Sequence, residues 1–236
     1  MTRFETAGNH PGDLIQAIHD RGGVLIHKST QVRHAIAAQK AGVDAITIVG
    51  MEAGGHPGVN PHPSHVLLAD ALKHIHVPVV LGGALGTGQQ ILGALAQGAE
   101  GALLATRFLA AAEIEAHQNY KARIAAAGMD DSVTALATLR DTWRVLDNAT
   151  LREVRRIEDA GGATHADFGK LIHGQYTRDN AYQRGDVERG MLSCSSAVGH
   201  ANRTEPTTEI IKALLSEMTQ ALARLHALEA HSQLIE

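Results

Sequence analysis

The chain has 236 residues, a formal charge of −4, 44% apolar residues and 19% charged ones, the balance of a soluble globular protein rather than a disordered one. Its lysines and arginines are scattered and aromatic residues make up only 3%, which leaves no track for a phosphate backbone and no platform for stacked bases, and so excludes nucleic acid as a partner. Cys194 is the single cysteine, Met1-Thr2-Arg3-Phe4-Glu5-Thr6 lacks the apolar stretch of a signal peptide, and no run approaches the roughly 20 apolar residues of a membrane span; the expectation is a cytoplasmic protein with no disulfide and no membrane contact.

In chain order, Phe4 to Gly8 reads as the tail of a strand, and Val24-Leu25-Ile26-His27 as a short apolar run. An alanine-rich helix over Val32 to Ala41 follows, stopped by Gly42. Ala45-Ile46-Thr47-Ile48-Val49 is a fully apolar strand that empties into Gly50-Met51-Glu52-Ala53-Gly54-Gly55-His56-Pro57-Gly58. Glycines let a backbone approach a ligand closely, and a histidine among them is presented to that ligand. A helix near Val66 to His74, the strand Pro78 to Leu81 and a second glycine loop, Gly82 to Gly88, come next. The helix Gln89 to Ala96 ends at Gly98, and the strand Gly101 to Ala105 closes the series. Ala41 to Ala45 and Gln97 to Gly101 repeat one turn chemistry: glycine stop, acid, strand.

Apolar strands alternating with helices mean parallel β covered by helices, of the (β/α) barrel type. Beyond residue 113 the chain is polar and helical, with Thr134 to Asn148 and Glu209 to Ala230 as the clearest helices and no clear period over 161–190. The division expected is a partial barrel over 1–125 and a mainly helical region over 126–236. Fifteen histidines raise the question of a metal. Pro61 and Pro63 break the stretch holding His62 and His65, and no cysteine or carboxylate recurs at ligand spacing, so none is expected.

The four strand-end loops supply His27-Lys28, the Glu52 to Gly58 segment, Gly82 to Gly88, and Thr106-Arg107-Phe108. Together these are a cation, a histidine and two sets of backbone N–H groups at loop or helix starts, a ready phosphate site. Neither a Walker loop nor a G-x-G-x-x-G pattern is present. Glu52 reads as an orienting hydrogen-bond acceptor, and Cys194 as inert.

These residues resemble the nitronate monooxygenases, flavin-dependent (β/α)8 barrels, through His27-Lys28, Glu52 to Gly58, Pro78-Val79-Val80 with Gly82-Gly83, and Thr106-Arg107-Phe108 with Glu113. The resemblance implies FMN as cofactor, a nitronate or nitroalkane and oxygen as reactants, and His56 as the base that takes the α-proton. It places Ala53, Gly54 and Gly55 against the flavin ring and Lys28 beside it, with Gly82, Gly83, Ala105 and Thr106 around the phosphate. Ala105 stands where the family has glycine, and Ser195-Ser196 where it has Gly-Gln. It also implies that the N-terminal half of the barrel is absent, leaving open edges and favouring a homo-oligomer. Two other readings stand beside it: a flavin-dependent enoyl-thioester reductase, which shares a similar Gly-Gly-His loop, and a truncated, non-catalytic remnant.

Overall fold

The structure, a computed structural model, describes residues 2–232. Five strands form one sheet in sequence order: β1 (Arg3–Ala7), β2 (Val24–Ser29), β3 (Ala45–Val49), β4 (Val79–Gly82) and β5 (Gly101–Leu103). Every pairing is parallel, with Ile26 opposite Ala45, Ile46 opposite Val79 and Leu81 opposite Ala102. The crossovers are α1 (Leu14–His19), α2 (Val32–Ala41), α3 (Ser64–Ala71) and α4 (Gly88–Ala96). All five residues of β3 are buried, as its unbroken apolar sequence requires of a strand covered on both faces. Leu25, Ile46, Ile48 and Leu81 pack with Leu67, Leu68 and Ala35 from the helices into the main core. Among the described residues β1 and β5 are the sheet's two edges.

The repeated turn chemistry is visible in the backbone. Gly42 and Gly98 both end their segments in the left-handed region, at φ +102° and +108°, where a side chain is disfavoured.

The second half departs from the expected helices in one place. Residues 134–148 do not form a helix. β6 (Ser132–Ala135) and β7 (Trp143–Leu146) form an antiparallel hairpin, with Val133 opposite Val145 and Ala135 opposite Trp143. The apolar positions at 135, 136, 139 and 143 mimic a helical stripe. Leu136 and Arg140 nonetheless adopt φ +61° and +56°, which no helix accommodates, and Trp143-Arg144-Val145 alternates as a strand does. Around the hairpin lie α5 (Gln118–Ala125), α6 (Ala149–Asp159) and the short turns α7 (His165–Phe168) and α8 (Gly174–Thr177).

The last helix, α9 (Thr207–Ser232), agrees with its periodicity. It crosses the start of α4 so closely that a Cβ on Gly88 would run into the Leu214 carbonyl oxygen and the Met218 nitrogen. Among the described residues no helix is long and apolar enough to cross a membrane.

Candidate active site

Parallel strands deliver their C-terminal loops to one end of the sheet. Here those loops enclose a cleft of about 630 Å³, within the range that holds a cofactor-sized ligand. Its walls include Lys28, Ala53, Gly54 and His56 from the first two loops, and Gly83, Ala105 and Thr106 from the next two. Gly55 and Gly82 stand outside the walls. Gly82 is the end of β4, opposite Val49 and Leu103. Gly55, at φ +79°, exchanges backbone hydrogen bonds with Arg144 of β7 at 3.0 and 2.7 Å.

The glycine-rich loop is anchored at both ends. The Glu52 carboxylate accepts from the Ser64 N–H at 2.8 Å and from the Ser64 hydroxyl, so it ties the loop to the start of α3. Arg144 donates from Nε to the Met51 carbonyl at 3.0 Å and from Nη1 to the Ser132 carbonyl at 2.9 Å. Between these anchors His56 stands half-exposed. Its Nδ1 lies 3.1 Å from Asp141 Oδ1, and its ring lies 4.6 Å from that of Trp143 with a 33° tilt. Lys28 is half-exposed and pairs with Glu5 at 3.1 Å, a contact worth about 0–1 kcal/mol at most. His27, by contrast, points away from the cleft walls. It is buried, contacts Thr6 Oγ1 at 2.9 Å, and is held below the usual imidazole range by burial and then by His10 and His34.

Two features fit a bound FMN. Gly83 and Ala84 turn through successive left-handed residues at φ +98° and +51° beside the cleft, and Thr106 opens a short 3-10 turn over 106–108 next to Ala105. Backbone groups in such turns suit an anion. Ser29 is 3% exposed, lines the same cleft, and its hydroxyl has no hydrogen-bond partner among the described residues. A buried hydroxyl in a ligand cleft is ordinarily satisfied by the ligand.

The start of α4, which the loop pattern also offers to phosphate, is already taken. Gly86 and Thr87 donate to Gln90 Oε1 at 2.8 and 3.1 Å, and Gly88 donates to Glu217 Oε2 at 2.7 Å. A carboxylate from α9 caps that helix instead, with the charge preference of a helix N-terminus.

Segments on both sides of residue 125 line one cleft. Arg140, Asp141 and Thr142 of the hairpin loop and Ser195 join the strand-end loops. Ser195 N–H donates to Thr106 Oγ1 at 2.9 Å, and burial pushes the Cys194 thiol up to about 12, so the sulfur is an inert core atom. Gly54 lies under this segment. A Cβ there would fall 2.5 Å from the Cys194 carbonyl carbon and 2.6 Å from the Ser195 nitrogen. Gly54→Ala is therefore expected to cost about 1–3 kcal/mol by overpacking. It should also speed hydrogen exchange at the Ser195 amide as the bond to Thr106 opens. Urea unfolding and amide exchange check both.

The hairpin contributions, Asp141 and Trp143 above all, escape a reading of local sequence. The one available signal is the alternation of Trp143-Arg144-Val145.

A sequence profile described as nitronate monooxygenase matches residues 4–217. The nitronate monooxygenase of Paraburkholderia phytofirmans is 29% identical over 223 residues, 90% of this chain and 59% of the relative. Among solved structures, FabK from Thermotoga maritima superposes with a TM-score of 0.87 at 26% identity, covering 96% of this chain and 71% of that one. A nitroalkane oxidase from Streptomyces ansochromogenes gives 0.78 at 26% identity, covering 95% and 66%. The chain spans 43–63% of the length of the curated relatives it matches.

Proposed function

We propose, from the premise that this chain belongs to the nitronate monooxygenase family, that it forms the substrate-facing part of an FMN-dependent oxidoreductase oxidising nitronates and nitroalkanes with oxygen. The observation that carries this reading is His56: an imidazole on a glycine-rich strand-end loop, lining one cleft together with Gly83-Ala84 and Ala105-Thr106, which suit a phosphate.

When bound, FMN supplies the electron acceptor that passes reducing equivalents from substrate to oxygen. The chain's own residues do the rest. His56 Nε2 takes the proton from the carbon bearing the nitro group, work suited to an imidazole at neutral pH. Ala53 and Gly54 keep that wall thin so that the ring and the substrate approach each other. The Gly83-Ala84 turn and Thr106 would hold the phosphate, and the Ser29 hydroxyl would meet a polar atom of the ligand. Lys28, on the cleft wall, would place positive charge near a bound flavin. β1 and β5 are edges whose unpaired backbone is a template for further strands, and the working unit is one in which they are covered, by more of the same chain or by a second copy.

A second reading has an observation of its own. The superposition on FabK is closer than that on the nitroalkane oxidase, 0.87 against 0.78, which favours an enoyl-thioester reductase on the same cleft. Reconstitution separates the outcomes. The expected result is a flavin spectrum that co-elutes with the protein and oxygen uptake on adding ethyl nitronate. NADH oxidation dependent on an enoyl thioester, without oxygen uptake on nitronate, establishes the second reading. Absence of flavin bands overturns both.

A further inference from the structure

The loop between β6 and β7 is held in an unfavourable shape. Leu136, fully buried, and Arg140 are both left-handed without being glycine. Glu158 of α6 fixes the loop by accepting from the N–H groups of Leu136 at 2.7 Å and Thr138 at 2.9 Å, and from the Thr138 hydroxyl at 2.8 Å. Asp141 N–H closes it on the Leu136 carbonyl at 3.3 Å. Backbone strain of this kind persists only where the surroundings enforce it, and it clusters at functional sites. This loop brings Arg140, Asp141 and Thr142 to the cleft wall and sets the Asp141 carboxylate beside His56.

One hairpin restrains one imidazole in three ways. The Gly55–Arg144 backbone pair fixes the chain next to His56. Trp143 covers a face of the ring, and its own position is set by the indole N–H donated to Ser193 Oγ at 2.8 Å. Asp141 Oδ1 stands 3.1 Å from Nδ1, while Oδ2 is engaged by His165 Nε2 at 3.4 Å. A histidine that merely ends a turn needs none of these.

We propose that Asp141 is the positioning residue for His56: its carboxylate takes the Nδ1–H and so turns Nε2, bare of its proton, toward the cleft. A neutral imidazole carries its proton on either nitrogen, and only the Nδ1–H form is a base at Nε2. A carboxylate acceptor selects that form and then stabilises the imidazolium created by proton transfer. At 3.1 Å the two atoms are in ion-pair contact without the alignment of a full hydrogen bond, and the contact straightens once substrate fills the cleft, catalytic hydrogen bonds commonly being poorly aligned before then. The catalytic consequence rests on the reading of His56 as the base; the tautomer does not.

The test uses the full chain. Long-range ¹H–¹⁵N spectra of labelled protein at mildly alkaline pH, with His56 identified by its disappearance in His56→Gln, report which nitrogen is protonated. The expected result is Nδ1–H in the native protein and a shift to predominantly Nε2–H in Asp141→Asn, with Asp141→Glu restoring Nδ1–H at least in part. Nε2–H in the native protein, or one tautomer throughout, overturns the proposal. In FMN-loaded protein the ratio of nitroalkane to nitronate turnover should fall about tenfold or more in Asp141→Asn, because only the nitroalkane requires the base. If His56→Gln lowers that ratio and Asp141→Asn does not, the positioning role is wrong. If His56→Gln leaves it untouched, the base reading fails and the tautomer alone decides Asp141. Emission from Trp143, the chain's single tryptophan, confirms that each variant keeps the hairpin.

Discussion

His56→Gln is expected to lower turnover of a neutral nitroalkane by about 10²–10⁴-fold, the range for loss of a general base, while FMN stays bound. The side chain is half-exposed at the cleft wall and its loop is anchored elsewhere, by Glu52 on Ser64 and by Arg144 on Met51. Replacing the ring with an amide therefore leaves both anchors in place. A preformed nitronate has already lost its proton, so its oxidation should change far less. Steady-state oxygen uptake with each substrate over a range of pH, together with the flavin absorption of the purified variant, checks this. Equal losses on both substrates would move His56 from proton transfer to binding, since an interaction lost in every state lowers both alike.

The barrel half of the molecule was legible because its signals are local. Short apolar runs bounded by glycine turns and alternating with helical segments read as strands covered on both faces, and a glycine with an acid two residues on reads as a helix stop that turns into the next strand. Gly42 and Gly98 carry that second signal, and both are left-handed in the structure. What could not be read is long-range. Ser195 reaches Thr106 across 89 positions, and Glu217 reaches Gly88 across 129; no periodicity announces either bond. The capping of α4 by Glu217 has a consequence for the cleft, because it occupies the Gly88 N–H at the end of the Gly82 to Gly88 loop that the sequence offers to an anion, while Gly83, Ala84, Ala105 and Thr106 line the cleft. The hairpin is hidden in the sequence for a different reason. Residues 134–148 are apolar at helical intervals, and only the tertiary hold of Glu158 on Leu136 and Thr138 makes the left-handed turns between its strands tolerable. Thus the glycine-histidine loop was visible in the sequence, while Asp141 and Trp143, which flank its histidine, were not.

The larger effect on stability is expected within the short turn that begins at Thr106. Arg107 follows Thr106, is 7% exposed, and donates from Nη2 to Glu205 Oε1 at 2.9 Å. Glu205 is 8% exposed and also accepts from Arg203 Nε at 2.6 Å. Glu205→Ala leaves a buried guanidinium uncompensated, all the more so because Arg107 Nη1 has no hydrogen-bond partner among the described residues. Breaking such a pair from one side costs about 3–5 kcal/mol, a large share of the roughly 5–15 kcal/mol that holds a domain together. The urea midpoint should drop accordingly at constant m-value. Arg107→Met with Glu205→Leu should recover much of the loss, since an apolar pair carries no desolvation penalty. Acid has a related effect. Burial would raise the Glu205 carboxyl, but hydrogen bonds from Arg203 and Arg107 hold it below the usual carboxylate range. A carboxylate depressed on folding stabilises fully above its unfolded value, about 4.3. That contribution falls away as the pH drops through 4.3 toward the lower folded value. Native protein should therefore lose stability below about pH 4 more steeply than the Met–Leu double variant. The same acid step should weaken FMN binding in the native protein first, because the ion pair fixes the turn that begins at Thr106.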